Sequence, residues 1–248
     1  MIVGGTTGLG FSAAQAFVGA GARVVVVGRN VESCATAEAG LSGKGVALCG
    51  DACDSQTAPQ AIALAKQHFG GFDGLYHVAG GSGRSMGDGP LHEVTDEGWD
   101  ATLDLNLKSL FYSNRAAVRE FLALGHGGSI LNMGSVLGWS PAPGFFSTHA
   151  YAAAKSAVIG FTKSIAARYA ANGIRVNVLA PGLVETPMAK RAATDEKILG
   201  YIKTKQPLDG GRIGQPADLD GAAIYFLSDA SRFTTGQVLA VDGGWTVS

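Results

Sequence analysis

Cysteine, charge and long apolar runs are all scarce in this chain of 248 residues, and each scarcity closes off a class of protein. Cys34, Cys49 and Cys53 are odd in number and lack a metal-ligand spacing, so they suggest neither a disulfide framework nor a zinc site. His68, His77, His92, His126 and His149 are scattered and read as structural or solvated. The 19 lysines and arginines nearly balance the 20 aspartates and glutamates, and no dense basic run occurs. That leaves no electrostatic footprint for nucleic acid or an anionic membrane, and favours small diffusing partners. No apolar run is long enough to span a bilayer and no signal peptide is found, so the expected compartment is the cytoplasm. With no Pro/Ser-rich linker, repeat or low-complexity block, residues 1–248 read as one domain.

What the chain does have is glycine, 37 residues of it, and an apolar fraction of 46 %, the composition of a large core with many tight turns. Short β-branched runs alternate with longer helical stretches, the signature of repeated βαβ units around a parallel sheet. The runs predict strands at 2–3, 23–27, 45–48, 74–78, 129–132, 174–179 and 237–241, and helices over 8–19, 31–41, 55–69, 98–124, 150–171 and 216–228. This is the α/β pattern of a doubly wound Rossmann domain, a seven-stranded parallel sheet with helices on both faces. The segment 186–211 carries no strong pattern and is expected to be a mobile lid over the substrate. The helix at 150–171 is apolar or small nearly all round, as in Ala152, Ala153, Val158, Phe161 and Ile165. Such a helix must be covered on both sides, by its own sheet and by another subunit. Leu103, Leu107, Leu110, Phe111 and Val118 give the helix 98–124 an apolar stripe expected to share that interface.

Two motifs carry chemistry. The opening MIVGGTTGLG reads as a strand running into a glycine-rich turn, with Gly4, Gly8 and Gly10 around Thr6, Thr7 and Leu9. Glycines there let backbone N–H groups and a helix N terminus approach a pyrophosphate. Asp51 and Ala52 follow the third strand, where the carboxylate either accepts a bond from an adenine amino group or caps the next helix. Ala79 and Gly80 close the fourth strand, and their small size leaves room for an adenosine. The second motif is Tyr151 and Lys155 in HAYAAAKSAV, on one face of a helix. A cation beside a phenol favours phenolate, and a tuned phenol can pass a proton to or from a substrate oxygen. A packed tyrosine with a solvated lysine would have the same spacing, so the partners of the pair decide.

Taken together these motifs resemble the short-chain dehydrogenase/reductase family over essentially the whole chain. The family's catalytic Asn corresponds to Asn106 in LDLNLKS, its Ser to Ser135 in ILNMGSVLG, and its Tyr and Lys to Tyr151 and Lys155. Pro181-Gly182, Thr186 in VETPM, Arg212-Ile213-Gly214 with Pro216, and the ending GQVLAVDGG match later landmarks. The resemblance implies an NAD(P)-dependent oxidoreductase acting on a carbonyl or secondary alcohol. In it Ser135 would hold the substrate oxygen and Tyr151 would be the acid in reduction and the base in oxidation. Lys155 would lower the Tyr151 pKa and hold the nicotinamide ribose, and Asn106 would anchor a water relaying protons to Lys155. Thr186 and the backbone near Val184 would fix the carboxamide. It further implies a homotetramer, or at least a dimer. The AYAAAK context suggests a 3-oxoacyl-[acyl-carrier-protein] reductase as a narrower reading, for which Arg84, Lys108 and Arg115 alone make no basic patch. A nucleotide-binding sensor without turnover is disfavoured, because it has no need of all four residues.

Three features depart from the family. His77-Val78 stands where it has Asn-Asn, so the first Asn's hydrogen bonds must be replaced or lost. Extra residues in WSPAPGFFSTH, between Ser135 and Tyr151, should bulge toward the substrate, and Leu137, Trp139, Phe145, Phe146 and Met188 would crowd the pocket mouth or pack on a neighbouring subunit. The first strand is short, which suggests a start assigned late or residues missing upstream. The end of strand two has Gly28 in place of the acid that receives a ribose 2′-hydroxyl, and then Arg29, which can bond a 2′-phosphate. NADP(H) is therefore the preferred cofactor, with NAD(H) possible.

Overall fold

Strand two shows how the sheet is built. Val24 and Val26 point into one apolar cluster and Val25 and Val27 into another, and all four are fully buried. A strand apolar on both faces belongs in the middle of a parallel sheet covered by helices. The structure, a computed structural model, describes every residue from Met1 to Ser248. Along the chain run β1 (Ile2–Val3), α1 (Gly8–Gly19), β2 (Val24–Gly28), α2 (Val31–Gly40), β3 (Gly45–Cys49), α3 (Thr57–Phe69) and β4 (Gly74–His77). Then come α4 (Asp96–Leu103), α5 (Ser109–Leu124), β5 (Gly128–Met133), α6 (His149–Tyr169), β6 (Ile174–Pro181), α7 (Lys190–Thr194), α8 (Glu196–Lys205), α9 (Asp220–Leu227) and β7 (Val238–Val241).

All seven strands are parallel, in the order β3-β2-β1-β4-β5-β6-β7. Helices α1, α2 and α9 pack on one face, and α3, α5 and α6 on the other. The order of connection reverses between β1 and β4, which opens a crevice beyond their C-terminal ends, where ligands bind in sheets of this kind. No helix is long and apolar enough to cross a membrane.

The stretch 98–124 is helical throughout, with a π-helical turn, Asp104–Lys108, set between α4 and α5. One expectation is corrected. The segment 186–211 is not patternless, because it folds into α7 and α8, with Ile198 and Ile202 fully buried. Asp195 starts α8, its carboxylate accepting from the Lys197 and Ile198 amides at 3.0 and 3.2 Å. The two residues of β1 pair with both neighbours, and the Met1 ammonium donates to the Gly74 carbonyl at 2.9 Å. Burial lowers the pKa of that amino group to about 5. A cavity of about 500 Å³ lies beside Met1 and Phe72 at the opposite ends of the strands and contains none of the residues expected to react.

Candidate active site

The crevice is shaped by glycine. Gly4 has φ +82°, and a Cβ there would lie 2.6 Å from the Ala79 nitrogen, so only glycine lets the turn after β1 touch the end of β4. Gly10 serves packing instead: a Cβ on it would run into the Gly4 carbonyl, holding α1 off the turn. Thr7, at the N-cap of α1, makes no side-chain cap bond, and the first helical turn has no acid. The opening N–H groups of α1 are therefore free for an anion.

A cleft of about 310 Å³ lies in front of this turn. Gly4, Thr6, Thr7, Gly8 and Leu9 line it from the turn, Arg29 from the end of β2, and Asp51 and Ala52 from beyond β3. Ala79 and Gly80 line it beyond β4, Pro181 and Thr186 beyond β6, with Tyr151 and Lys155 from α6. Of the residues expected to hold a nucleotide, Gly10 lies behind the turn, and Gly182 and Val184 line an adjoining cavity. Asp51 closes its own turn, accepting from the Cys53 amide at 2.9 Å; the helix beyond has Gln56 at its N-cap. Arg29 is exposed with no carboxylate partner. A Cβ on Gly28 would collide with the Thr6 side chain, so an acid at the end of β2 is excluded sterically as well. An uncapped helix start and close backbone approach suit the pyrophosphate of a dinucleotide.

The four residues expected to carry the reaction converge at the inner end. Ser135 begins a short 3-10 turn after β5, its Oγ accepting from the Leu137 amide at 3.2 Å. That turn rests directly on α6, since a Cβ on Gly138 would lie 3.0 Å from the Lys155 main chain. Burial raises the Tyr151 phenol above its ordinary pKa, and hydrogen bonding to the Ser135 hydroxyl opposes the rise. Lys155 Nζ donates to the Met133 carbonyl at 2.9 Å and lies 5.5 Å from the centre of the Tyr151 ring. Burial lowers its pKa to about 8. The opposing influence on the phenol comes from Ser135, not from Lys155 as the spacing led one to expect. Asn106 sits in the π turn, fully buried, with Nδ2 donating to the Thr102 and Gly81 carbonyls at 2.9 Å each and Oδ1 accepting from the Gly81 amide at 3.1 Å. Gly80 is the spacer between Asn106 and Lys155, where a Cβ would lie 2.7 Å from Asn106 Oδ1 and 3.4 Å from Lys155 Nζ.

His77, on β4, replaces the lost asparagine bonds. Its Nδ1 lies 2.8 Å from Ser113 Oγ and its Nε2 3.3 Å from Ser109 Oγ, both on α5. Both hydroxyls also reach a carbonyl of their own helix, Ser109 that of Leu105 at 2.6 Å and Ser113 that of Leu110 at 3.0 Å, so the neutral ring donates to one serine and accepts from the other according to its tautomer. Burial, and then the Lys155 charge, lower the His77 pKa to about 3, so the ring is neutral. Asn114, one residue on, exchanges two bonds with Asn132 of β5 at 2.8 and 3.0 Å, and Asn132 donates to Thr162 of α6 at 3.0 Å. These buried bonds tie together the elements that present Asn106, Ser135, Tyr151 and Lys155. Asp88 is a further member that sequence reasoning missed. Its carboxylate accepts from the Ala150 and Tyr151 amides at 3.1 and 2.9 Å, capping α6 where Thr148 makes no cap bond.

A second cavity, about 150 Å³, shares Tyr151, Leu9, Pro181, Thr186 and Met188 with the cleft and contains Ser135. Leu137, Phe146 and Met188 line it as expected; Trp139 and Phe145 do not. Phe145 packs on Tyr201 of α8 and Phe146 edge-on to Trp245, with ring centres 5.3 and 5.7 Å apart. Phe145 and Phe146 are thus packed within one chain, whereas Trp139 is exposed.

A family described as enoyl-(acyl carrier protein) reductase matches residues 3–246. The chain is 34 % identical to gluconate 5-dehydrogenase of Gluconobacter oxydans (strain 621H), over all of its length and 94 % of that protein. It is 33 % identical to human dehydrogenase/reductase SDR family member 4, over 98 % of this chain and 86 % of that one. A solved short-chain type dehydrogenase/reductase from Mycobacterium ulcerans superposes with a TM-score of 0.91 at 31 % identity, covering 99 % of this chain and 88 % of the other. These likenesses extend through the whole sheet and both cavities, and the chain belongs to the short-chain dehydrogenase/reductase family of NAD(P)-dependent oxidoreductases.

Proposed function

We propose that the chain interconverts a carbonyl and a secondary alcohol with Tyr151 as the proton donor and acceptor. The observation that carries this reading is the position of Tyr151 at the junction of the two cavities, facing Ser135 and backed by Lys155. The nicotinamide cofactor, when bound, supplies or accepts the hydride. Ser135, its oxygen accepting from Leu137 and its hydroxyl bonded to the Tyr151 phenol, would turn its proton to the substrate oxygen and stabilise developing charge. Burial keeps the Tyr151 phenol protonated near neutral pH, the form that donates to a carbonyl oxygen. Lys155, poised near pH 8, refills that proton. Asn106, fixed by its bonds to Gly81 and Thr102 and separated from Lys155 only by Gly80, would anchor a water relaying protons toward Lys155.

NADP(H) is the preferred cofactor, because Arg29 is the one cation at the far end of the cleft and Gly28 has no space for an acid. Segment 186–211 roofs the substrate cavity and acts as its lid. A homotetramer is supported by Phe111, Ala153, Gly160 and Ala167, which leave an apolar, small-residue face of α5 and α6 exposed. The narrower acyl-carrier reading is not favoured by a cavity this small. Incubating the purified chain with NADPH or NADH and a panel of carbonyl compounds tests the proposal: cofactor absorbance is lost with at least one, faster with NADPH. No loss with any, despite bound cofactor, refutes it.

A further inference from the structure

The wall of the 150 Å³ cavity contains two charged residues, Arg84 and Arg191, and no carboxylate. They come from distant parts of the chain, Arg84 from a 3-10 turn after β4 and Arg191 from α7. Both reach one acceptor, the Phe145 carbonyl, with Nη2 at 2.9 Å for Arg84 and 3.2 Å for Arg191. A guanidinium offers five N–H donors, so most donors of both remain free. Neither has an acidic side chain within 4.0 Å. Asp88, the nearest acid to act on Arg84, is held on the α6 amides.

Bracing one carbonyl takes one arginine. A second one brings like charges together, and the pKa of Arg84 is lowered by burial and then by Arg191 itself. Two unneutralised cations converging beside the reacting groups match an anion that both can bond, with a carboxylate taking charge-assisted bonds from each. The remaining wall, Leu137, Phe146, Trp245 and Met188, suits a short carbon skeleton. The cavity, about 150 Å³, has room for a small molecule.

We propose that Arg84 and Arg191 form a carboxylate subsite, and that the substrate is a compact oxo or hydroxy acid whose reacting oxygen lies at Ser135 and Tyr151. This rests on the oxidoreductase reading above and adds the substrate's charge.

The test is calorimetric titration of the NADP-loaded chain with short 2-, 3-, 4- and 5-oxo acids, each against its methyl ester, followed by turnover with NADPH. At least one acid is expected to bind about tenfold or more tighter than its ester. Added salt should weaken the acid and spare the ester, a result that needs no variant. Arg84→Met and Arg191→Met should each bring the acid-to-ester ratio toward one, and Arg191→Lys should restore part of it; melting curves check the fold. Acids and esters binding alike, or no acid binding at about 10 mM, overturns the subsite. Arginine-dependent binding of dihydroxyacetone phosphate in place of the acids overturns the carboxylate in favour of a phosphate ester. An acid that binds through the arginines yet never oxidises NADPH leaves the subsite standing and removes the oxidoreductase reading. Turnover of esters as fast as acids does the reverse.

Discussion

The cofactor cleft and the reacting residues share one crevice, yet the two halves are held by different means. Around β1, β2 and β3 the chain grips by backbone: Gly4 against Ala79, Gly10 against Gly4, and the bare start of α1. Around β4, β5 and β6 it grips by buried side chains, His77 to Ser109 and Ser113, Asn114 to Asn132, Asn132 to Thr162, and Asp88 to the start of α6. Backbone contact tolerates no side chain but needs no partner. A buried polar bond is only as good as both its ends, because an unmet partner costs about 1–3 kcal/mol.

The sharpest way to separate the halves is Tyr151→Phe. Turnover should fall about a hundredfold or more while the Kd for NADPH, read by fluorescence titration, changes little; near-normal turnover would break the assignment. His77 tests the polar half through pH. Its folded pKa, about 3, lies below the ordinary histidine value of 6.5, so its contribution to stability is complete above pH 6.5 and is lost as pH falls from 6.5 toward 3. Between pH 6.5 and 5 the loss amounts to about 2 kcal/mol at 1.36 kcal/mol per unit. Urea midpoints should drop over that interval, and His77→Asn should flatten the slope; an unchanged slope contradicts the neutral, buried ring.

Arg29→Ala probes the other half. The KM for NADPH should rise about tenfold and the KM for NADH should stay close to its starting value. Gly28→Asp with Arg29→Ala, the exchange the sequence suggests for reversing preference, is expected to weaken both cofactors because the new side chain meets Thr6. Adding Thr6→Gly should release that collision. The smallest effect belongs to Asp88→Asn, which removes a carboxylate from a helix start at about 1 kcal/mol. Melting temperature and kcat should decline modestly with the KM for NADPH unaltered; an effect on cofactor affinity instead would join the halves that the geometry separates.

This division also explains what could be read from the residues alone. The glycine turn, Tyr151 with Lys155, and the alternation of strands and helices follow from short-range spacing. The cap on α6 comes from Asp88, more than sixty residues upstream, and no local pattern announces it. The π turn that widens the helix around Asn106 has no sequence signature comparable to a cap or a proline. Arg84 stood out as a charge, but its neighbour Arg191 lies beyond two further strands. Helix α8 was legible and was overlooked: Asp195 as a cap, followed by Ile198 and Ile202 one turn apart, is a helix start with an apolar stripe.

The ring cluster joining Phe145, Phe146, Tyr201 and Trp245 has a consequence for how this pocket can change. The patch behind the substrate cavity is assembled from three separate stretches, the insertion, α8 and the C-terminal segment, with Trp245 edge-on to Phe146 and Tyr201 and Phe145 tilted against Tyr201. A lid at 186–211 that opens would have to part the contacts of Tyr201 with Phe145 and Trp245. Trimming the last few residues, Trp245 included, would therefore retune substrate preference from a site that looks like an inert terminus.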